Sequence, residues 1–481
     1  MIVVNAVMLG FTSEMKDRIR GILADVIFES RDVTKGFPHY EWHREQIFNA
    51  AGEMIEELTP VVYTPGMLSY RTEGTGGEPV SFLVDIVGID VLTQAKVSKL
   101  ATYLQHPENR QLLSFNLHDD NYDVWGDGGN GPRRKMMKYA GWGWRRYCAA
   151  KNRLQQSQVS ASHPFEGHPV DPFLEFPSET TVFDPAKEQH TGIIVGIGIS
   201  VVRRESTIDP ETGKKIVEDD LALIPGDDVR LSFPTADMKL EFRSDSFTVT
   251  DLYESKMADY DRKLVFVPIE TLQRLRGMVD ADSGSLTTTR ILIKAKPGVE
   301  IDVLRDRLRD AFSYHAYSIN TWRDDQYQLL DAVATELAML NVILLMSFAV
   351  AGFGILAIFY MIVVEKQKDI GILKALGASS SGVMQIFLYY SLSLGILGSA
   401  LGLGLGLLIV EYIREIAIVL SYILKRDIFS PEIYSFSEIP TIVDIPTVIG
   451  IIAGAIFIAV AAGVLPALRA ARVHPVETLR S

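Results

Sequence analysis

A single cysteine, Cys148, is all the thiol chemistry in 481 residues, which excludes an intramolecular disulfide. Any part of the chain outside the cytoplasm must hold together by core packing, which a few hundred residues can supply. Positive charge is also short. Lys and Arg number 47 against 60 Asp and Glu, a net charge of −13. Nucleic-acid binding wants a basic surface, so this balance argues against a nucleic-acid partner, and none is expected. Catalytic text is missing as well. The Gly-rich stretch Gly126–Gly131 runs into Pro132, Arg133 and Arg134, without the Lys-Ser/Thr pair of a phosphate-binding loop. No Gly-x-Ser-x-Gly nucleophile elbow occurs. Asp119–Asp123 has the acidic spacing of a calcium loop, but Val124 stands where the turn needs Gly and Asn130 where a bidentate Glu belongs. His39 and His43 sit four apart with no third ligand in view and read as surface histidines. No catalytic residue, cofactor site or metal site is expected, and the chain does not read as an enzyme.

What is present is apolar length. Hydrophobic residues make up 47% of the chain although 22% are charged, so the two kinds must be segregated. Leu337–Val364 is a run of 28 residues without a charge, Ile386–Val410 one of 25 and Ile445–Leu468 one of 24. As a helix the first is about 42 Å long, enough to cross a hydrocarbon core of about 30 Å with some tilt. Three transmembrane helices are therefore expected, at about 337–364, 386–410 and 445–468. Met1–Phe11 is apolar but too short to span, and it lacks the basic region and cleavage site of a signal peptide. It reads either as a core strand or, preferably, as the remnant of a first membrane helix.

Residues 12–335 read as soluble α/β material. Short β-rich runs recur at Gly192–Gly196, Val229–Phe233, Phe247–Thr250, Leu264–Pro268 and Arg290–Lys294. A helix is predicted over Glu300–Phe312, where Ile301, Val303, Leu304, Leu308 and Phe312 recur at helical spacing. Residues 104–188 are polar, aromatic and glycine-rich with little periodicity, and read as an inserted run of long loops. From Asp324 a helical pattern leads straight into the first membrane run, as a stalk.

Charge sets the orientation. The loop 365–382 carries Lys366, Lys368 and Lys374 against Glu365 and Asp369, and the tail carries Arg469, Arg472 and Arg480 against Glu477. The 411–444 loop has three basic residues and six acidic ones. The positive-inside rule puts the 365–382 loop and the tail in the cytoplasm, and helix parity then puts residues 12–335 outside. A domain carried across needs an upstream segment, which favours the membrane reading of Met1–Phe11.

Two features of the membrane part suggest mechanism. Gly398, Gly402 and Gly406 repeat every four residues, as do Gly450 and Gly454, a pattern that lets helix backbones approach closely in lipid. In the loop 365–382, Ile370, Leu373 and Gly377 fall on one helical face with Leu376 beside them, flanked by Lys366, Asp369 and Lys374. Such a short amphipathic helix can lie on lipid or enter a groove of a partner protein, and the residues alone do not choose.

The text EKQKDIGILKALGASSSGVMQIF in this loop resembles the signature of the FtsX/MacB-type ABC permeases, and the C-terminal PALRAARVHPVETLR resembles that family's tail. VMLGFTSEMKDRIRGILADVIF, FTVTDLYESKMADYDRKLVFVPIETLQRL and TWRDDQYQLLDAVATELAMLNVILLMSFAVAGFGIL are most similar to the lipoprotein-releasing (LolC/LolE) branch. The resemblance covers about residues 1–30 and 190–481. It implies four membrane helices, the first truncated here, with a MacB-like extracytoplasmic α/β domain between the first and second, and an FtsX-like permease domain at 336–481. It implies pairing with a second permease copy or paralogue and with a separate cytoplasmic ABC ATPase. Glu365, Lys366, Asp369, Ile370, Gly371, Leu373, Lys374, Leu376 and Gly377 would belong to the loop that docks on that ATPase. The cargo implied is a lipoprotein anchored in the inner membrane. MacB-like export of peptides or small molecules, and FtsX-like control of a cell-wall hydrolase without transport, are the rival readings.

Overall fold

The computed structural model describes residues 1–32, 35–71, 79–122, 137, 140–162, 183–208, 215–236, 241–280, 284–424 and 440–472. The glycine-rich stretch 126–131, the end of the acidic loop at 123 and the tail from 473 lie outside them. The chain divides into two compact units, one of Asp17–Asp325 and one of Met1–Lys16 with Gln326–Ser481.

The Asp17–Asp325 unit is built on a nine-stranded mixed sheet. Its strands are β1 (Val26–Ser30), β2 (Ile55–Arg71), β3 (Pro79–Ile89), β4 (Thr191–Gly196), β7 (Asp228–Pro234), β8 (Phe242–Tyr253), β9 (Leu264–Pro268), β10 (Arg290–Ala295) and β11 (Tyr317–Thr321). The order is β11-β1-β10-β2-β3-β9-β4-β8-β7. β3 pairs with β9, and β4 with β8, in parallel, and the other ladders are antiparallel. β2 is long enough to pair with β10 at its start, with β3 along its length and with β7 near its end. A two-stranded sheet of β5 (Val201–Ile208) and β6 (Lys215–Leu221) stands apart.

The sheet is covered on both faces, so its strands read as apolar runs rather than alternating ones. Ile193 and Val195 enter one core with Val62, Ile86, Phe233, Phe247 and Leu272. Ile194, between them on β4, faces the other core with Val61, Val87, Tyr253 and Phe266. The period of two along a strand separates the cores. Residues from the start of the 104–188 region, Leu104, Leu113 and Phe115, complete the second core.

Helix α1 (Ile2–Ile22) begins in the other unit and ends in this one; α2 (Tyr40–Ala51), α3 (Val91–Val97), α4 (Pro107–Gln111), α5 (Trp142–Ser162), α6 (Ile269–Arg276) and α7 (Ile301–Ala311) are among the helices of this unit. α7 buries Ile301, Leu304 and Leu308, the spacing its sequence predicts, while Val303 is exposed. Two expectations change. Residues 142–162 form a helix rather than loop. Its aromatic and basic text serves as an anchor: Trp144 Nε1 donates to Asp227 at 2.6 Å, and buried Arg145 donates to Asp228 at 2.7 Å and to the carbonyls of Gly226 and Glu188. His43 is not a surface residue. It is buried on α2, its Nδ1 donates to the His39 carbonyl at 3.1 Å, and Nε2 accepts from the Tyr317 hydroxyl at 2.8 Å. Burial holds its pKa below the ordinary histidine value.

In the other unit, α8 (Tyr327–Glu365), α10 (Ser380–Glu411) and α12 (Ile445–Ala471) are long and apolar enough to cross a membrane. α9 (Gln367–Ala375) lies between the first two, and α11 (Ile413–Leu424) follows the second. α10 packs on α12, and so does α8. Met1–Phe11 is helical, as the start of α1, and not a strand. Ile442 N donates to the Ala6 carbonyl at 2.9 Å, and a Cβ added at Gly406 on α10 would lie 3.3 Å from the Ile2 side chain.

Candidate functional site

The segment between α8 and α10 is a helical turn-back. α8 ends at Glu365, and α9 starts almost at once with Lys366 paired to Asp369 at 3.3 Å. α9 ends in a left-handed residue, Gly377 (φ 101°), a conformation that favours glycine because it has no Cβ. Ser379 then caps α10 by accepting from Gly382 N at 3.1 Å. Two helices thus meet α9 within a few residues on either side.

α9 is held on its inner side. Ile370 is 4% exposed and packs with Val363 of α8, Val383 and Phe387 of α10 and Ala470 of α12, and Gly371 is buried beside it. Lys374 Nζ donates to the Ala471 carbonyl at 2.7 Å. That places a cation at the C-terminal end of α12, where unpaired carbonyls and the helix dipole attract it. All three long apolar helices therefore fix α9.

The outer side is apolar and exposed. Leu373 is 48% exposed, Leu376 81% and Ile372 47%. The expected single face of Ile370, Leu373 and Gly377 is split: Ile370 is core, whereas Leu373 and Leu376 point away from the chain. Periodicity marks an apolar face but not where the core's edge crosses it. Ile372 was missed because it lies off that face.

The glycine ridges are also redistributed. A Cβ added at Gly398, Gly402, Gly450 or Gly454 meets nothing within 4 Å among the described residues, so these four positions pack against no described helix of this chain. Gly406 alone among them faces a neighbour, Ile2. The close approaches fall at other glycines. A Cβ at Gly395 would lie 3.0 Å from Ala459, one at Gly463 2.5 Å from Ser391 Oγ, and one at Gly352 2.9 Å from Ile458. None of these three has a glycine four residues away, but Gly395 lies between Ser391 and Ser399 and Gly463 between Ala459 and Ala467, a small-residue spacing that a glycine-only reading passes over.

Residues 341–475 match the family model described as FtsX-like permease C-terminal. The chain is 28% identical over 240 residues to the lipoprotein-releasing system transmembrane protein LolC of Xylella fastidiosa strain 9a5c, covering 50% of this chain and 56% of the relative. With LolC of Neisseria meningitidis serogroup B it shares 25% over 288 residues, covering 60% and 64%. With the macrolide export ATP-binding/permease protein MacB of Psychrobacter cryohalolentis it shares 32% over 157 residues, covering 32% of this chain and 21% of the relative. The chain thus spans a little over half the length of the first of these relatives. The periplasmic region of MacB from Actinobacillus actinomycetemcomitans aligns with 65% of this chain at 11% identity and a TM-score of 0.19, too low to bear on the fold. Residues 341–475 thus match an FtsX-like permease C-terminal domain, and the chain is similar to permeases of the FtsX/MacB type, the LolC branch among them.

Proposed function

We propose that this chain is the membrane subunit of an ABC system in which α9 receives motion from a separate cytoplasmic ATPase and passes it to the Asp17–Asp325 unit. The observation that carries this reading is the two-sidedness of α9. Its inner side joins all three long helices through Ile370 and Lys374, and its outer side offers Leu373 and Leu376 to a partner. A displacement of α9 is then a displacement of α8, α10 and α12, because packed interiors transmit strain.

In this reading the 365–382 loop and the C-terminus are cytoplasmic, and the α/β unit is outside, as the Lys and Arg distribution favours. The open ridges at Gly398, Gly402, Gly450 and Gly454 suit a second permease copy or paralogue, since small residues let helices approach closely in lipid. The cargo proposed is a lipoprotein or related lipid-anchored protein taken from the outer leaflet of the inner membrane, in keeping with the two LolC relatives.

The test is reconstitution of the chain with its cognate ATPase in liposomes carrying a lipid-anchored cargo. ATP should drive release of the cargo to a soluble acceptor. ATP-stimulated turnover without release of any lipoprotein would leave the coupling role and remove the cargo assignment.

A further inference from the structure

The 104–122 segment holds a cluster that the transport reading does not use. His106 precedes α4 and caps it, Glu108 is in its first turn, and His118 returns from the following loop. One candidate ligand atom from each residue lies within 4.8 Å of the others.

The hydrogen bonds fix which nitrogens are open to a ligand. His106 Nε2 is 2.9 Å from the Asp120 carbonyl, which only accepts, so Nε2 carries the proton. His106 Nδ1 then has the lone pair and accepts only a long 3.3 Å bond from Glu108 N. Asn109 is fully buried and its Nδ2 donates to buried Asp251 at 2.8 Å, which turns Oδ1 toward His118. His118 Nε2, at 3.0 Å, donates to that oxygen. In the neutral ring His118 Nδ1 is left with a lone pair 3.1 Å from the Glu108 carboxylate. Two acceptors at that distance repel unless a proton or a metal cation sits between them.

We propose that His106 Nδ1, His118 Nδ1 and the Glu108 carboxylate bind one divalent transition-metal cation of the Zn2+ class. The donor set is borderline-soft nitrogen with one carboxylate, which suits zinc. Each histidine already gives its other N–H to a carbonyl oxygen, the partner arrangement that orients metal-binding imidazoles. Three protein ligands leave a fourth tetrahedral position for water.

Binding requires a defined movement. Ligand atoms about 2.1 Å from zinc lie about 3.4 Å apart in a tetrahedron, so the cluster must contract. The Glu108 side chain is 75% exposed and can swing in. The two imidazoles are stacked with centroids 3.9 Å apart and planes 6° apart. A cation in the plane of both needs that stack to open. His118 is the ring that turns, since its side chain is 19% exposed whereas His106 is buried, while its backbone stays pinned by Tyr122 Oη at 3.1 Å and by Trp142 N at 2.9 Å. The bound cation would tie this loop to α4 and, through Asn109 and Asp251, to β8.

The full chain, purified in detergent and stripped with a chelator, should be titrated with Zn2+ near pH 7.5 by calorimetry, and with Co2+ by visible absorption. We expect one equivalent of Zn2+ to bind and Co2+ to give a tetrahedral spectrum. Glu108→Gln changes an exposed group and should weaken binding at least about tenfold, since loss even of a second-layer partner costs about 10–100-fold. His118→Ala should abolish the Co2+ spectrum. No binding by the wild-type chain, or binding unchanged in Glu108→Gln, would overturn the proposal. In the latter case the cation sits elsewhere, and the His118–Glu108 contact is an ion pair made by protonation alone.

Discussion

Apolar side chains in the α/β unit are inside, and those in the three long helices are mostly outside. Phe233, Phe247, Tyr253 and Leu272 are fully buried in the sheet's two cores, whereas in the most apolar window of each long helix only 11% is buried. The same residue types therefore carry different information. In water they specify a core, because burial is what stabilises them. In the long helices they specify a solvent, the bilayer. Packing between those helices rests on a few small residues and on the Ile370 cluster, as expected where lipid is as apolar as leucine.

A series of substitutions would break or sharpen that contrast. The largest effect is expected from Ile370→Asp, which puts a carboxylate among Val363, Val383, Phe387 and Ala470. An unpaired charge there should cost roughly 3 kcal/mol or more, read as loss of folded protein on size exclusion in detergent. Next, Gly463→Leu and Gly395→Leu force side chains onto Ser391 and Ala459 and should each cost about 1–3 kcal/mol by overpacking. Leu at Gly398 or Gly450 meets open space and should leave thermal unfolding of the isolated chain unchanged or slightly raised, since glycine is a poor helix former.

In the α/β unit the decisive buried groups are polar. Burial raises the carboxyl of Asp261 to a pKa of about 7, and those of Asp227 and Asp251 to about 6. Each folded-state pKa lies above the unfolded value near 3.9. The folded unit therefore holds these protons more tightly, and their contribution to stability falls as pH rises from about 4 toward 6 or 7. Between pH 6 and 7 Asp261 dominates. Asp261→Asn should flatten the stability profile there, by on the order of 1 kcal/mol per pH unit, in thermal unfolding scans over that range. Lys374→Met removes the hydrogen bond to Ala471 and should be the mildest of the destabilising changes. A loss of about 1 kcal/mol is expected, seen as a small drop in melting temperature without loss of fold.

Legibility in the sequence follows the same division. The long helices were readable because nothing but lipid asks for 28 apolar residues in a row. The strands β4, β7, β9 and β10 and the helix α7 were readable from short β-rich runs and from period. β2 and β3 were not, because Pro60, Pro65 and Gly66 interrupt β2, and residues 72–78 between the strands are polar and rich in glycine. α5 was hidden by the glycines and aromatic rings at its start, where Trp144 and Arg145 serve contact with Asp227 and Asp228 rather than helix propensity. The helical character of α9 was readable, but the split between Ile370 and Leu373 depends on where α8, α10 and α12 converge. The histidine pair was not readable, because twelve positions separate His106 from His118 and only the fold brings them together.

The account turns on α9 being fixed on one side and open on the other. The most direct test is the double substitution Leu373→Asp with Leu376→Asp, made in the full chain co-expressed with its cognate ATPase. Both residues are exposed, so the variant should fold and melt like the wild type. It should nevertheless fail to retain the ATPase on purification or to stimulate ATP hydrolysis. Wild-type ATPase retention and stimulation by this variant would contradict the account.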